Sequence, residues 1–170
     1  AMVVGNAATD GTQENLPPGT RGLRLSQNYG DGEALNRGIE YLEREEADSV
    51  PVYYLFMNND LTLDPETVSG LVAEAEKNGP GIYGPSVVCR DNPGQLEAAW
   101  GRITWSHVLT RLSGKGASAS LSRWNRQAKD VILLGSVMLV HRGVLDSGLR
   151  FDPHYFMYHE EVDFIYAAAR

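Results

Sequence analysis

The chain has 170 residues and a formal charge of −7, from fifteen Lys and Arg against twenty-two Asp and Glu. With 42% hydrophobic and 22% charged residues it has the apolar content for one packed domain over 1–170 and lacks the basic balance of a nucleic-acid binder. No apolar run approaches the ~20 residues of a membrane span, no signal-peptide pattern opens the chain, and the lone Cys89 excludes an intrachain disulfide or a thiolate zinc cluster, so a reducing, cytoplasmic setting is expected.

In chain order, Ala1 before Met2 reads as the remnant of an expression tag and is set aside. Residues 2–5 predict a short strand running into a turn, 12–22 a loop, and 23–25 a second short strand. The run Asn28-Tyr29-Gly30-Asp31-Gly32 opens a helix over 31–46, with Ala34, Leu35, Gly38, Ile39 and Leu42 at helical spacing. The nearly continuous apolar run VPVYYLFM at 50–57 predicts a strand buried on both faces. Asp64 as N-cap and Pro65 at the first helical position predict a helix to about Lys77, ended by Gly79-Pro80-Gly81. Residues 81–89 predict another strand, and 90–130 are less regular, with a Gly/Ser stretch at 113–120 that reads as flexible. A strand at 131–141 broken by Gly135, a short helix at 143–147, a turn at 148–153 and a helix over 160–170 complete the chain. Strand and helix alternate, which predicts an α/β fold with a mainly parallel sheet.

Charge is segregated along this order. Residues 30–76 hold twelve carboxylates against Arg37 and Arg44, whereas 98–129 hold Arg102, Arg111, Lys115, Arg123, Arg126 and Lys129 with no acidic residue. Such halves serve either as solvated surfaces or as an acidic part that attracts a cation beside a basic part that receives a phosphate-bearing substrate.

Three clusters carry chemistry. Asn58-Asn59-Asp60 ends the buried strand, at the edge where open parallel sheets bind ligands, and offers hard oxygen donors for Mg²⁺ or Mn²⁺; the same residues also suit an Asx turn. Glu160, Glu161 and Asp163 stand together at a helix start, where they either complement the helix dipole or raise one another's pKa to leave a general base. His154 and His159 precede them as candidate ligands or bases, or as plain surface residues. The glycines of the segment from Asn28 to Gly38 permit close backbone approach to a phosphate or a sugar hydroxyl.

Taken in order, these clusters resemble the family-2 glycosyltransferases of the GT-A fold, especially their rhamnosyltransferase-like branch. The family's VVDNxSxDG strand end reads VVGNAATDG at 3–11, and its glycine-asparagine run spans Asn28, Gly30, Asn36 and Gly38. Its N-x-D metal motif reads FMNNDLTLDPETV with Asp60, followed by a G-x-x-G-P strand at 81–85 and G-x-x-M-L-V-x-R at 135–142. The closing run at 148–163 matches a segment that ends in Y-x-E-D-x-D, with Glu161 in place of the Asp of the E-D pair. Gly5 stands where the family has an acidic residue that contacts the donor base.

The resemblance implies a GT-A domain without the usual first strand and helix. It implies an inverting, metal-assisted enzyme of polysaccharide biosynthesis that moves a sugar from a nucleotide-diphosphate donor to the hydroxyl of a glycan or lipid-linked acceptor. Asp60 would hold Mg²⁺ or Mn²⁺, and Asn6, Asp10, Asn28, Gly30, Asn36, Asn58 and Asn59 would line the donor. Glu161 first, and Glu160 second, would act as the base; Trp100, Trp105, Gly135, Ser136 and Asp163 would shape the acceptor subsite. The basic segment 102–129 would close over phosphates or meet an anionic lipid-linked acceptor, with peripheral contact at the inner membrane face. The edge left by the absent first strand would pair with a second copy in a homodimer. Two other classes compete: a non-catalytic remnant acting as an interaction module, and a nucleotidyltransferase, which would want a glycine-rich, Arg/Lys-bearing phosphate loop after its first strand.

Overall fold

The computed structural model describes residues 1–45, 50–104, 109–124 and 126–170, with Leu109 described by its backbone alone. The chain forms two units, one made of Ala1–Pro51 and Arg150–Phe164, the other of Val52–Leu149 and Ile165–Arg170.

In the first unit β1 (Met2–Asn6) and β2 (Arg21–Leu25) pair in parallel, with Val3 opposite Gly22 and Gly5 opposite Arg24. Their connection carries one 3-10 turn, Thr12–Glu14. Gln13 of that turn lies over both strand glycines: a Cβ at Gly5 would run into its Nε2, and one at Gly22 into its Oε1. Glycine inside a strand commonly marks such a close approach. On helix α1 (Asp31–Glu45), Gly38 permits a second one, since a Cβ there would stand 3.0 Å from Val4 Cγ2 and 3.2 Å from Met2 Cε.

Asn36 is a buried polar residue of α1, and both its amide nitrogen and its amide oxygen are engaged. Its Nδ2 donates to the Phe151 carbonyl at 2.8 Å, and its Oδ1 accepts from the Phe151 N–H at 3.0 Å. This bracket fastens the returning segment to the helix, where Phe151 stacks on Phe164 with ring centroids 4.2 Å apart. Arg150 reinforces it with an ion pair to Glu43 at 3.0 Å. Asn36→Leu would remove both side-chain hydrogen bonds to the Phe151 backbone at a buried site, so we expect a loss of about 2–3 kcal/mol in urea denaturation; an unchanged midpoint would show that the bracket is dispensable.

In the second unit β3 (Tyr53–Met57), β9 (Val137–His141) and β4 (Ile82–Tyr83) form a sheet with β9 central and antiparallel to both neighbours. Val137, Met138, Leu139 and Val140 are all buried, as an unbroken apolar run at a central position requires. Helix α2 (Thr67–Asn78) packs Leu71 and Ala75 on Leu139, with Tyr53, Val72 and Tyr83 at the margin. The short α3 (Arg142–Asp146) is capped by His141, whose Nδ1 accepts from the Gly143 N–H at 2.9 Å. Helix α4 (Glu160–Ala168) ends the elements, its residues Glu160–Phe164 belonging to the first unit.

Several expectations change. The sheet is not mainly parallel: β1–β2 is parallel, and the other pairings among the described residues are antiparallel. Asp64 is not an N-cap, because its carbonyl accepts the Thr67 N–H at 2.9 Å in a turn through Pro65 and Glu66, and Glu66 takes the cap position. The strand expected over 81–89 divides at Gly84-Pro85 into β4 and β5 (Val87–Cys89), since proline has no N–H for a ladder. The segment 90–130 holds β6 (Asn92–Ala98), paired with β5, and the hairpin of β7 (Trp100–Thr104) and β8 (Leu109–Ser113). Gly135 lies outside β9, and Ile132 before it bridges to Gly101. Trp105 and the expected helix end at residue 46 lie outside the described residues.

Candidate active site

β1 delivers Asn6 to the carboxyl end of the parallel pair, where its side chain organises the next loop. Its Nδ2 donates to Asn28 Oδ1 at 2.9 Å and to the Gly30 carbonyl at 3.1 Å, while its Oδ1 accepts the Tyr29 N–H at 2.9 Å. Asn28 Oδ1 also accepts the Gly30 N–H at 2.9 Å. Asn6, Asn28 and Gly30 thus form one knot, whereas Asn36 lies apart in its bracket with Phe151. Asp10 accepts the Thr12 N–H at 3.0 Å, and this bonding to Thr12 holds its carboxyl below the ordinary aspartate range.

Just after Asn6 the chain enters a left-handed conformation at Ala7 (φ 60°), and an open groove of about 440 Å³ begins. Ala7, Ala8 and Thr9 line it from the loop after β1, and Arg24, Leu25 and Ser26 from the end of β2. The carboxyl end of parallel strands is the usual place for a ligand in an α/β sheet. Arg24, which lines the groove, pairs with Glu14. Gln13 was not anticipated as part of this region; its Nε2 is buried with no hydrogen-bond partner among the described residues. The signal for it was the pair of glycines, Gly5 and Gly22, inside two adjacent strands.

The loop at 152–159 meets the start of α1. The Phe156 carbonyl accepts the Asp31 N–H at 3.1 Å, satisfying one of the helix's unpaired first-turn donors. Tyr158 and His159 are both left-handed, with φ of 67° and 71°, a pairing of non-glycine residues that costs backbone energy and concentrates at functional sites. Asp152 bonds the His154 N–H and ring, which holds its carboxyl low and leaves His154 on the surface. Glu160 follows the strained pair at the first position of α4. Gly32 makes room for it, since a Cβ there would stand 3.2 Å from Glu160 Cβ and 2.9 Å from Phe151 Cβ.

Glu160 is the electrostatically distinct member of the acidic cluster. Burial pushes its carboxyl above the ordinary range, the carboxylates of Glu161 and Asp31 push it further, and its own backbone N–H and His159 oppose the rise. Its Oε2 is buried without a hydrogen-bond partner among the described residues. Such a carboxylate is a stronger proton acceptor than an exposed one. Glu161 and Asp163 are partly exposed, and the Asp163 N–H bonds the His159 carbonyl at 2.9 Å to start the helix.

In the second unit Asn58, Asn59 and Asp60 are exposed where β3 ends. The Asn58 N–H donates to the Ser136 carbonyl at 3.0 Å, so Asn58 and Ser136 are neighbours, beside Gly135. Ser136 Oγ is buried without a partner among the described residues. Trp100 meets Trp124 edge-on at 5.3 Å, and Arg123 lies over Trp124 at 4.9 Å. Within the basic segment Lys115 pairs with Glu97 at 3.0 Å, and Arg102 and Arg111 stand opposite one another in the β7–β8 ladder. Among the described residues no three His, Cys, Asp or Glu side chains gather as a metal cluster, and no helix is long and apolar enough to cross a membrane.

No curated protein matches the chain. The model of glycosyl transferase family 2 matches residues 2–130, which include the Asn6 knot, the groove and Asp60, while β9 and α4 lie beyond the matched stretch. With most of its length matched, the chain belongs to glycosyl transferase family 2.

Proposed function

We propose that the chain is the catalytic part of an inverting glycosyltransferase of the GT-A fold, transferring a sugar from a nucleotide-diphosphate donor to a hydroxyl of a glycan or lipid-linked acceptor. The observation that carries this reading is Glu160, a carboxylate with a buried, unpartnered oxygen and a raised pKa, in a chain that belongs to this family. Glu160 takes the proton of the acceptor hydroxyl, ahead of Glu161, as the hydroxyl oxygen bonds to the anomeric carbon. The bond from that carbon to the diphosphate oxygen breaks, and its electron pair leaves with the nucleotide diphosphate. The groove beside Asn6 receives the nucleotide end of the donor, with Ala7 and Ser26 offering backbone and hydroxyl contacts. Asn6 and Asn28 act by fixing the loop shape, since the Asn6 amide is already engaged.

The donor set in the second unit fits a hard cation: Asp60 is an exposed carboxylate with the amide oxygens of Asn58 and Asn59 next in sequence, and Mg²⁺ is commonly held by one or two carboxylates together with substrate phosphates. These residues would hold Mg²⁺ or Mn²⁺, which supplies neutralisation of charge on the leaving diphosphate when bound.

Thermal denaturation of the chain with Mn²⁺ and UDP-, GDP- or dTDP-sugars tests the reading. One nucleotide class should raise Tm by about 5 °C at saturating concentration, and Asp60→Ala should abolish the Mn²⁺-dependent part of that rise. No shift with any of the three would overturn the proposal.

A further inference from the structure

The loop that leads into Glu160 carries four consecutive large apolar side chains in solvent: Tyr155, Phe156, Met157 and Tyr158 are 36, 55, 48 and 73% exposed. Loops ordinarily expose polar side chains, and an uninterrupted apolar run of this kind marks a binding surface. The backbone beneath is fixed: the Phe156 carbonyl bonds the Asp31 N–H and lies against Gly30, and Tyr158 is held left-handed. These side chains are therefore presented on a set backbone rather than left over from a loose one.

Charge around the loop discriminates among occupants. Residues 150–169 hold Asp152, Glu160, Glu161 and Asp163 against one basic residue, Arg150, which is paired with Glu43, and Asp31 adds a further carboxylate at the Phe156 contact. An anionic membrane, a phosphate or a nucleic acid would meet repulsion here. A neutral polyhydroxylated ring suits the surface on both counts, because its C–H face packs on aromatic rings and its hydroxyls find the phenol groups and carboxylates as partners.

We propose that Tyr155, Phe156 and Tyr158 form a platform for a neutral sugar ring, the acceptor, seated next to Glu160. The proposal rests on the glycosyltransferase reading for the word acceptor, but sugar binding at the loop is measurable without catalysis. Three aromatic residues there set acceptor binding and leave donor binding to the groove beside Asn6.

Saturation-transfer NMR on the chain with methyl glycosides of glucose, galactose, mannose, rhamnose and N-acetylglucosamine provides the test. At least one glycoside should show transfer to its ring C–H protons. Tyr158→Leu, which keeps apolar area but removes the ring, should weaken that glycoside about tenfold, and Tyr158→Phe should restore it. Phe156→Leu should act in the same direction. Absence of transfer from all five glycosides, or equal binding by the Leu variants, overturns the platform. Co-sedimentation with phosphatidylglycerol vesicles that depends on Tyr158 also overturns it, in favour of a membrane contact. The thermal shift with nucleotide-sugars is read on the same variants and should be unchanged; its absence in the unaltered chain would defeat the transferase reading while the NMR result still judged the platform.

Discussion

Replacing Glu160 by Gln is expected to lower the rate of sugar transfer by about 10²–10⁴, the span that removal of a general base produces, while making the fold more stable at neutral pH. The two effects share one cause. Burial raises the Glu160 carboxyl above its ordinary range, and the neighbouring carboxylates of Glu161 and Asp31 add to the rise. A carboxyl with a folded pKa above its unfolded value contributes stability that is full below the unfolded pKa and is lost as pH rises through the folded pKa. At pH 7 the wild-type chain therefore carries an ionised, poorly solvated oxygen that Gln does not. The variant should melt higher at pH 7, by on the order of 2 °C, and this advantage should vanish near pH 4. The same group should set the acidic limb of the wild-type kcat/KM profile, above the ordinary carboxylate range. Glu161→Gln removes a repelling charge instead, so it should move that limb to lower pH with a loss of no more than about tenfold. If Glu161→Gln is the silent enzyme and Glu160→Gln remains active, the roles are reversed.

The acidic cluster could be read from sequence, but the difference between its members could not. Glu160 and Glu161 are adjacent and chemically identical, and only packing separates them: Gly32, from a distant stretch of chain, lies against Glu160, where an added Cβ would stand 3.2 Å from the Glu160 Cβ. Local patterns with a strong period or a strong breaker carried through to structure. The helix expected from Ala34, Leu35, Gly38 and Ile39 forms as α1, and the apolar run ending at Met57 forms β3, although it buries Tyr54 and Phe56 on one face and leaves Leu55 and Met57 exposed on the other, where burial on both faces was expected. Strand direction did not carry through, because β9 reaches its place between β3 and β4 by long-range pairing that no local window reports. The start of α2 shows the same limit on a smaller scale, since Asp64 and Pro65 are good capping residues that the chain spends on a turn instead. Asn6, Asn28 and Asn36 were legible as a set and not as a mechanism. Their amide groups have the donors and acceptors of ligand-binding residues, and the fold uses them to tie its own backbone.

The largest structural effect is expected at Gly30. Its φ of 83° is a conformation L side chains rarely adopt, and a Cβ there would collide with the Phe156 carbonyl oxygen and stand 2.9 Å from the Phe156 carbonyl carbon and Cα. The neighbour is backbone, so no rotamer change relieves the clash. Nor can the loop step aside freely, because that carbonyl accepts the Asp31 N–H while the Gly30 carbonyl accepts from both Asn6 and the Ala34 N–H. Gly30→Ala should cost about 3–5 kcal/mol in urea denaturation, most of a small domain's stability. Gly19 and Gly148 provide the comparison: both have positive φ, of 79° and 86°, and nothing within 4 Å of an added Cβ. Alanine at either should cost only the strain of the left-handed backbone, about 1–2 kcal/mol. The difference between Gly30 and these two isolates the contact with Phe156 from the cost of φ itself. Should Gly30→Ala prove no worse than Gly148→Ala, the loop is not anchored at Phe156. In that case the fixed presentation of Tyr158 loses the support assigned to it.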